Sequence, residues 1–168
     1  RDVVTGLMTV QALLIQLESE VQTARRRGQS VAIILVDIDG FALLNARYGY
    51  DVGDIVLRRV GETMKKVVRG MELVARVSGD CFALVYAGDE RAAKVIGERA
   101  RAAVEALRVD TDNSRVTVTA TVAGLNLSEV SASSNAQQFL STAQQLLNTR
   151  HDQPPNITIW KDQESTQG

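Results

Sequence analysis

Cysteine is nearly absent. Cys81 is the only one in 168 residues, so no internal disulfide can form, and a reducing compartment is the natural setting. An excess of charge of either sign is missing too. Nineteen Lys and Arg oppose 20 Asp and Glu, for a formal net charge of -1. That balance supplies no global field to draw nucleic acid or an anionic membrane. No apolar run nears the ~20 residues of a membrane-spanning helix, and no signal-peptide pattern opens the chain. These absences argue against direct membrane insertion and against nucleic acid as a partner, and the expected location is the cytoplasm. Internal repeats are lacking. So is an initiator methionine at Arg1, and the chain is expected to be a piece of a longer protein.

What is present is ordinary globular composition, 45% hydrophobic and 23% charged. The length suits one domain with a core of its own, expected over residues 1–161, with a polar tail over 162–168. Leu13, Leu14, Leu17, Val21 and Ala24 recur at helical spacing, followed by Arg25, Arg26, Arg27 and the stop residue Gly28. "SVAIILVDID" is apolar on both alternating faces, which predicts a central strand covered on both sides. Helices are expected over 40–48 and 51–68. "LVARV" and "CFALVYA" predict a hairpin turning at Ser78-Gly79. A helix over 89–107, a strand over 115–125, a helix over 135–150 and a strand over 156–160 complete the pattern. The antiparallel hairpin excludes a purely parallel, doubly wound sheet. The order predicts an α/β (α+β) fold: a ferredoxin-like core with a central mixed or antiparallel sheet flanked by helices.

The carboxylates fall at strand ends. Asp37 and Asp39 close the first long strand, and Asp80 stands at the hairpin. If those strands are neighbours, Asp37 and Asp80 with the Ile38 carbonyl can seat Mg²⁺ bound to phosphates. Asp39 can equally cap a helix starting at Gly40. Asp51 and Asp54 resemble a capping box.

"VDIDGFALLNARYGYDVGDIVLRRVG" and "ELVARVSGDCFALVY" resemble the GGDEF domains of bacterial diguanylate cyclases. "DVVTGL" at the start and "VTVTATVAG" near the end fit the same family in order and spacing. The resemblance implies a nucleotidyl-cyclase-like fold that condenses two GTP molecules, one per subunit of a dimer, into cyclic di-GMP with Mg²⁺ or Mn²⁺. It implies Asp37, the Ile38 carbonyl and Asp80 as metal ligands, with Asp80 on a catalytic signature position. Asn45 and Asp54 fall on the guanine-reading positions, where a carboxylate accepts the base N–H donors and an amide meets its acceptors. Gly79 retains the bare backbone that lets a phosphate approach.

The departures from the family are also specific. The signature reads Ser78-Gly79-Asp80-Cys81-Phe82. Ser78 adds a side chain, and Cys81 puts a thiol where the family has a carboxylate. A small apolar filler and a redox thiol are both readings of Cys81. A family lysine is Ala42, its Gly-His pair is Gly49-Tyr50, and "TRHDQPPN" replaces the segment that grips the triphosphate. There the lysine position is His151, or Arg150 with a one-residue shift, and the arginine position is Pro155. Losing such cations costs several kcal/mol of transition-state stabilisation. Arg69 and Glu72 match the family's product-inhibition site, though Arg69 also suits the end of the preceding helix. The expected role is therefore a catalytically impaired regulatory module that binds GTP or cyclic di-GMP with Mg²⁺ or Mn²⁺. Its expected partners are neighbouring sensor or effector domains, with a homodimer possible. A weak diguanylate cyclase and a nucleotide-free interaction module are the competing readings.

Overall fold

The strand β2, Val31–Ile38, is the axis of the molecule. Its residues from Val31 to Val36 are all buried, because helices cover both faces of the sheet it centres. The computed structural model describes residues 1–68, 70, 73–149 and 154–161. Before β2 come β1 (Met8–Thr9) and α1 (Val10–Arg27); after it come α2 (Phe41–Tyr48) and α3 (Tyr50–Val67). The hairpin β3 (Val74–Ser78) and β4 (Cys81–Ala87) leads into α4 (Glu90–Ala106). A small pair, β5 (Val109–Asp110) and β6 (Arg115–Val116), precedes β7 (Ala120–Asn126), α5 (Ala136–Asn148) and β8 (Thr158–Trp160).

The main sheet runs β1-β3-β4-β2-β7-β8. β2 is antiparallel to both β4 and β7, and β3 is antiparallel to β4, whereas the edge pairs β1/β3 and β7/β8 are parallel. The inner order, β3-β4-β2-β7, is the split β-α-β arrangement expected of a ferredoxin-like core. Ile34, Val36 and Ile38 of β2 join a core with α3 and α4, centred on Phe82. Val31, Ile33 and Leu35 face α1 and α5, around Phe139. Burying such a side chain stabilises the fold by ~1.5–3 kcal/mol.

Local chemistry sets the element ends. Thr9 caps α1 by accepting from the Ala12 N–H at 3.3 Å, and Gly28 ends it in the left-handed region. Asn135 and Gln138 form a reciprocal capping box at the start of α5. At the β7/β8 edge, Trp160 lies flat on Gly124. A Cβ there would stand 1.9 Å from the ring, so only glycine lets this strand close the sheet.

Four expectations need correction. The strand from Arg115 is not continuous: Val116 pairs with Val109 in a separate ribbon, and pairing with β2 starts only at Ala120. The hairpin turns at Gly79-Asp80, one residue later than expected, because a register shift between Arg76 and Ser78 sets Ser78 opposite Cys81. Asp39 does not cap α2, whose N-cap Gly40 has φ 65° and no side-chain cap. Asp51 and Asp54 form no capping box, since α3 already begins at Tyr50 behind Gly49. β1 and β5 each span two residues, too few to leave a periodic trace in the sequence. Among the described residues, no helix is long and apolar enough to cross a membrane.

Candidate nucleotide and metal site

The sheet end that carries Asp37 collects most of the residues singled out above. Asp37 is the next-to-last residue of β2, with Cys81 opposite it on β4 and Thr121 opposite it on β7. The Ile38 N–H donates to the Asp80 carbonyl at 3.0 Å, which draws the hairpin turn against the end of β2. Asp37 and Asp80 therefore share one corner. Burial, then the charges of Asp80 and Asp39, push the Asp37 carboxyl up to about 7. A carboxylate in that condition favours a nearby cation, which relieves both the desolvation and the repulsion. Among the described residues, no three His, Cys, Asp or Glu side chains gather as a metal cluster. Asp37, Asp80 and the Ile38 carbonyl are oxygen donors of the kind that could hold Mg²⁺ or Mn²⁺.

Asp39 is occupied otherwise. Its carboxylate accepts from the Thr119 and Thr121 hydroxyls at 2.7 Å each, and from the Asn156 N–H at 2.9 Å. These bonds fasten the ends of β2 and β7 to the segment entering β8. This role escaped the sequence reading, although the alternation Thr119-Thr121 opposite the end of β2 carried a faint signal. Cys81 is 6% exposed, and burial followed by the Asp37 and Asp80 charges pushes its thiol well up. It stays protonated near neutrality and fills space, as the apolar reading expects.

Asn45 lies where α2 packs on α3, against Gly53, the residue before Asp54. Gly49, at φ 91°, joins the two helices with no intervening loop. Gly53, four residues on, has no Cβ, and the Asn45 carboxamide occupies the space. An added Cβ would lie 1.9 Å from Asn45 Oδ1. That oxygen is buried and has no hydrogen-bond partner among the described residues. Asp54, the next residue of α3, is half-buried and likewise makes no hydrogen bond among them. An unmet buried acceptor costs ~1–3 kcal/mol, and the Asn45 side chain must turn outward from Gly53 before that oxygen can meet a donor from outside.

Arg76 was also missed. Its guanidinium grips the Gly79 carbonyl with two N–H groups, at 2.7 and 3.0 Å, and pairs with Asp2 at 3.2 Å. Burial works to raise the Asp2 carboxyl, but hydrogen bonds from Thr5 and Arg76 outweigh it and hold Asp2 below its usual range. The opening turn Asp2–Thr5 is thereby tied to the signature turn. Its only trace in the sequence is an arginine placed three residues before Gly79.

The cationic positions are bare where the structure describes them. Ala42 is exposed on α2, and Pro155 is exposed ahead of β8. Arg69, Glu72, Arg150 and His151 lie outside the described residues. A pocket of about 690 Å³ lies at the β1 edge, lined in part by Arg1, Gln16, Lys65, Val68 and Gly70. None of Asp37, Asp80, Asn45 and Asp54 is among its lining residues.

The model of the family described as "Diguanylate cyclase, GGDEF domain" matches residues 1–156. Among curated proteins, the chain is 33% identical over 98 residues to the diguanylate cyclase DgcS of Shewanella oneidensis, a match covering 58% of this chain and 33% of that protein. It is 33% identical over 91 residues to diguanylate cyclase DgcP of Escherichia coli, covering 54% and 27%. The chain spans about a third or less of these relatives' lengths. Among solved structures, diguanylate cyclase SiaD with its activator SiaC from Pseudomonas aeruginosa superposes with TM-score 0.88 at 27% identity, covering 96% of this chain and 61% of that one. The GGDEF domain of DgcB from Caulobacter crescentus, in complex with c-di-GMP, gives TM-score 0.85 at 20% identity, covering 95% and 94%. With the sheet order, the paired strand-end carboxylates and the SGDCF turn in their places, this chain belongs to the GGDEF domain family.

Proposed function

We propose that this domain binds a guanine nucleotide with a divalent cation and does not convert it at the rate of a working cyclase. The observation that carries the reading is Asn45 Oδ1, packed against Gly53 with no hydrogen-bond partner among the described residues. Next in sequence to Gly53 is the half-buried carboxylate of Asp54, which likewise has none; a turn of the Asn45 side chain outward brings it to a ligand. A guanine edge supplies N–H donors for both oxygen-bearing side chains and an acceptor for the Asn45 amide. The raised Asp37 carboxyl supports a cation at the adjacent corner, held by Asp37, Asp80 and the Ile38 carbonyl. When bound, Mg²⁺ or Mn²⁺ neutralises phosphate charge. Gly79 leaves the turn open for a phosphate to approach the backbone.

Catalytic impairment rests on the absent cations. Ala42 and Pro155 replace a lysine and an arginine of the family, and phosphoryl chemistry depends on such charges to hold and neutralise the triphosphate. Cys81 replaces a carboxylate of the signature and stays uncharged. The domain then acts as a regulatory module in cyclic di-GMP signalling, reporting GTP or cyclic di-GMP to neighbouring sensor or effector domains. Arg69 and Glu72, which lie outside the described residues, are the proposed dinucleotide contacts on the resemblance alone.

Calorimetry with GTP, GDP and cyclic di-GMP in Mg²⁺, run beside chromatography of long incubations with GTP and Mg²⁺ or Mn²⁺, tests the reading. Heat of binding without dinucleotide product is the expected result. Product formation would identify a weak cyclase, and no heat with any ligand an interaction module.

A further inference from the structure

The helix that carries Asp54 begins with an exposed aromatic ring. Tyr50 is 78% exposed. It makes no hydrogen bond or cation–π contact among the described residues. The contrast with Tyr48 is instructive: Tyr48 packs against the core, and the Arg47 guanidinium lies 5.2 Å from its ring centre. Tyr50 has neither support. A large ring left in water at the first turn of a helix contributes little to folding.

Its position on the helix gives it a use. Residues three and four apart lie on one helical face. For Tyr50 these are Gly53 and Asp54. Gly53 is the residue against which Asn45 packs, with Oδ1 buried and unpartnered. One face of α3 therefore carries the half-buried Asp54 carboxylate and an exposed aromatic ring, with the Asn45 side chain packed behind Gly53 and reaching a base edge once it turns outward. A purine has both a hydrogen-bonding edge and a flat π-face, and a site that reads the edge leaves the face to be covered.

We infer that Tyr50 stacks on the purine ring whose edge Asn45 and Asp54 read. The inference rests on the guanine-binding reading above and extends it, placing recognition in the base and not in the phosphates. Base–aromatic stacking tolerates any base, so discrimination for guanine stays with Asn45 and Asp54 while Tyr50 adds affinity. Tyrosine suits the role, since its ring has few rotatable bonds to immobilise on binding.

The experiment is calorimetric titration of wild type, Tyr50→Ala, Tyr50→Phe and Asp54→Ala with GDP and with guanosine, in Mg²⁺. Melting temperatures confirm that the exposed substitutions leave the fold intact. Tyr50→Ala is expected to weaken both ligands about tenfold, Tyr50→Phe to stay within about twofold of wild type, and Asp54→Ala to lose guanine binding. A Tyr50→Ala protein that binds as well as wild type, while Asp54→Ala fails, would overturn the stack and leave base reading intact. Equal losses in Tyr50→Ala and Tyr50→Phe would also overturn it, since the ring would then not be the contact. Wild type that binds neither ligand would overturn the underlying reading and the stack with it.

Discussion

At the scale of single residues, Asp37 and Gly53 carry the account. Asp37 holds a proton up to about pH 7 in the folded protein, against 3.8 for an ordinary aspartate. The sign follows from linkage: between about pH 4 and 7 the folded state keeps a proton that the unfolded state has released. Without metal, this group makes the protein less stable as pH rises through that window. A divalent ion must displace the same proton, so Mg²⁺ should raise the melting temperature more at pH 8 than at pH 6. Asp37→Asn should melt higher than wild type in metal-free buffer at pH 8 and lose the response to Mg²⁺. Differential scanning fluorimetry checks both, and a lower melting point for Asp37→Asn would contradict the electrostatic picture. Gly53→Ala places a methyl against Asn45 Oδ1 and forces the carboxamide away. A cost of ~1–3 kcal/mol in denaturant unfolding is expected, with guanine-nucleotide affinity falling by an order of magnitude or more in calorimetry.

At the scale of elements, the β7/β8 edge depends on one close approach. Gly124→Ala should drive Trp160 off the sheet and loosen β8, together with the neighbouring bond from Asn156 to Asp39. The expected signature is altered tryptophan fluorescence and faster amide exchange from 157 to 161, with a loss of ~1–3 kcal/mol. An unshifted emission spectrum would show that the edge does not rely on that fit. The same scale explains what the sequence made legible. β2 was readable because six residues buried on both faces, Val31 to Val36, leave an unbroken apolar run, and α1 because its buried stripe ends in a glycine. The break between β6 and β7 was not, since "RVTVTATVAGL" alternates well enough for one strand. Only Val109 and the Asp39–threonine bonds decide where pairing switches. The family was legible as a resemblance, but Asp39 was misread because a carboxylate before a glycine looks like a cap until its partners, 80 or more residues away, are seen. Arg76 belongs to the same class. Its meaning lies in neighbours that folding supplies.

At the scale of the whole molecule, two apolar layers sandwich one sheet, and the functional corner sits at the ends of strands from both. Phe82 is fully buried in the layer under α3 and α4, one residue after Cys81 and two after Asp80. Phe82→Ala should cost ~3–5 kcal/mol, measured by urea unfolding, and should weaken Mg²⁺ binding because the signature turn hangs from that strand. Normal metal affinity in a folded Phe82→Ala protein would separate the corner from the core. The central claim concerns the balance between base, cation and phosphates in that corner. It is tested most directly by calorimetric comparison of GTP with GDP in saturating Mg²⁺, with the mixture assayed for cyclic di-GMP. With Ala42 and Pro155 in place of cations, the two nucleotides should bind within about tenfold of each other, ~1.4 kcal/mol, and no dinucleotide should form. A hundredfold preference for GTP, or accumulation of product, would contradict it.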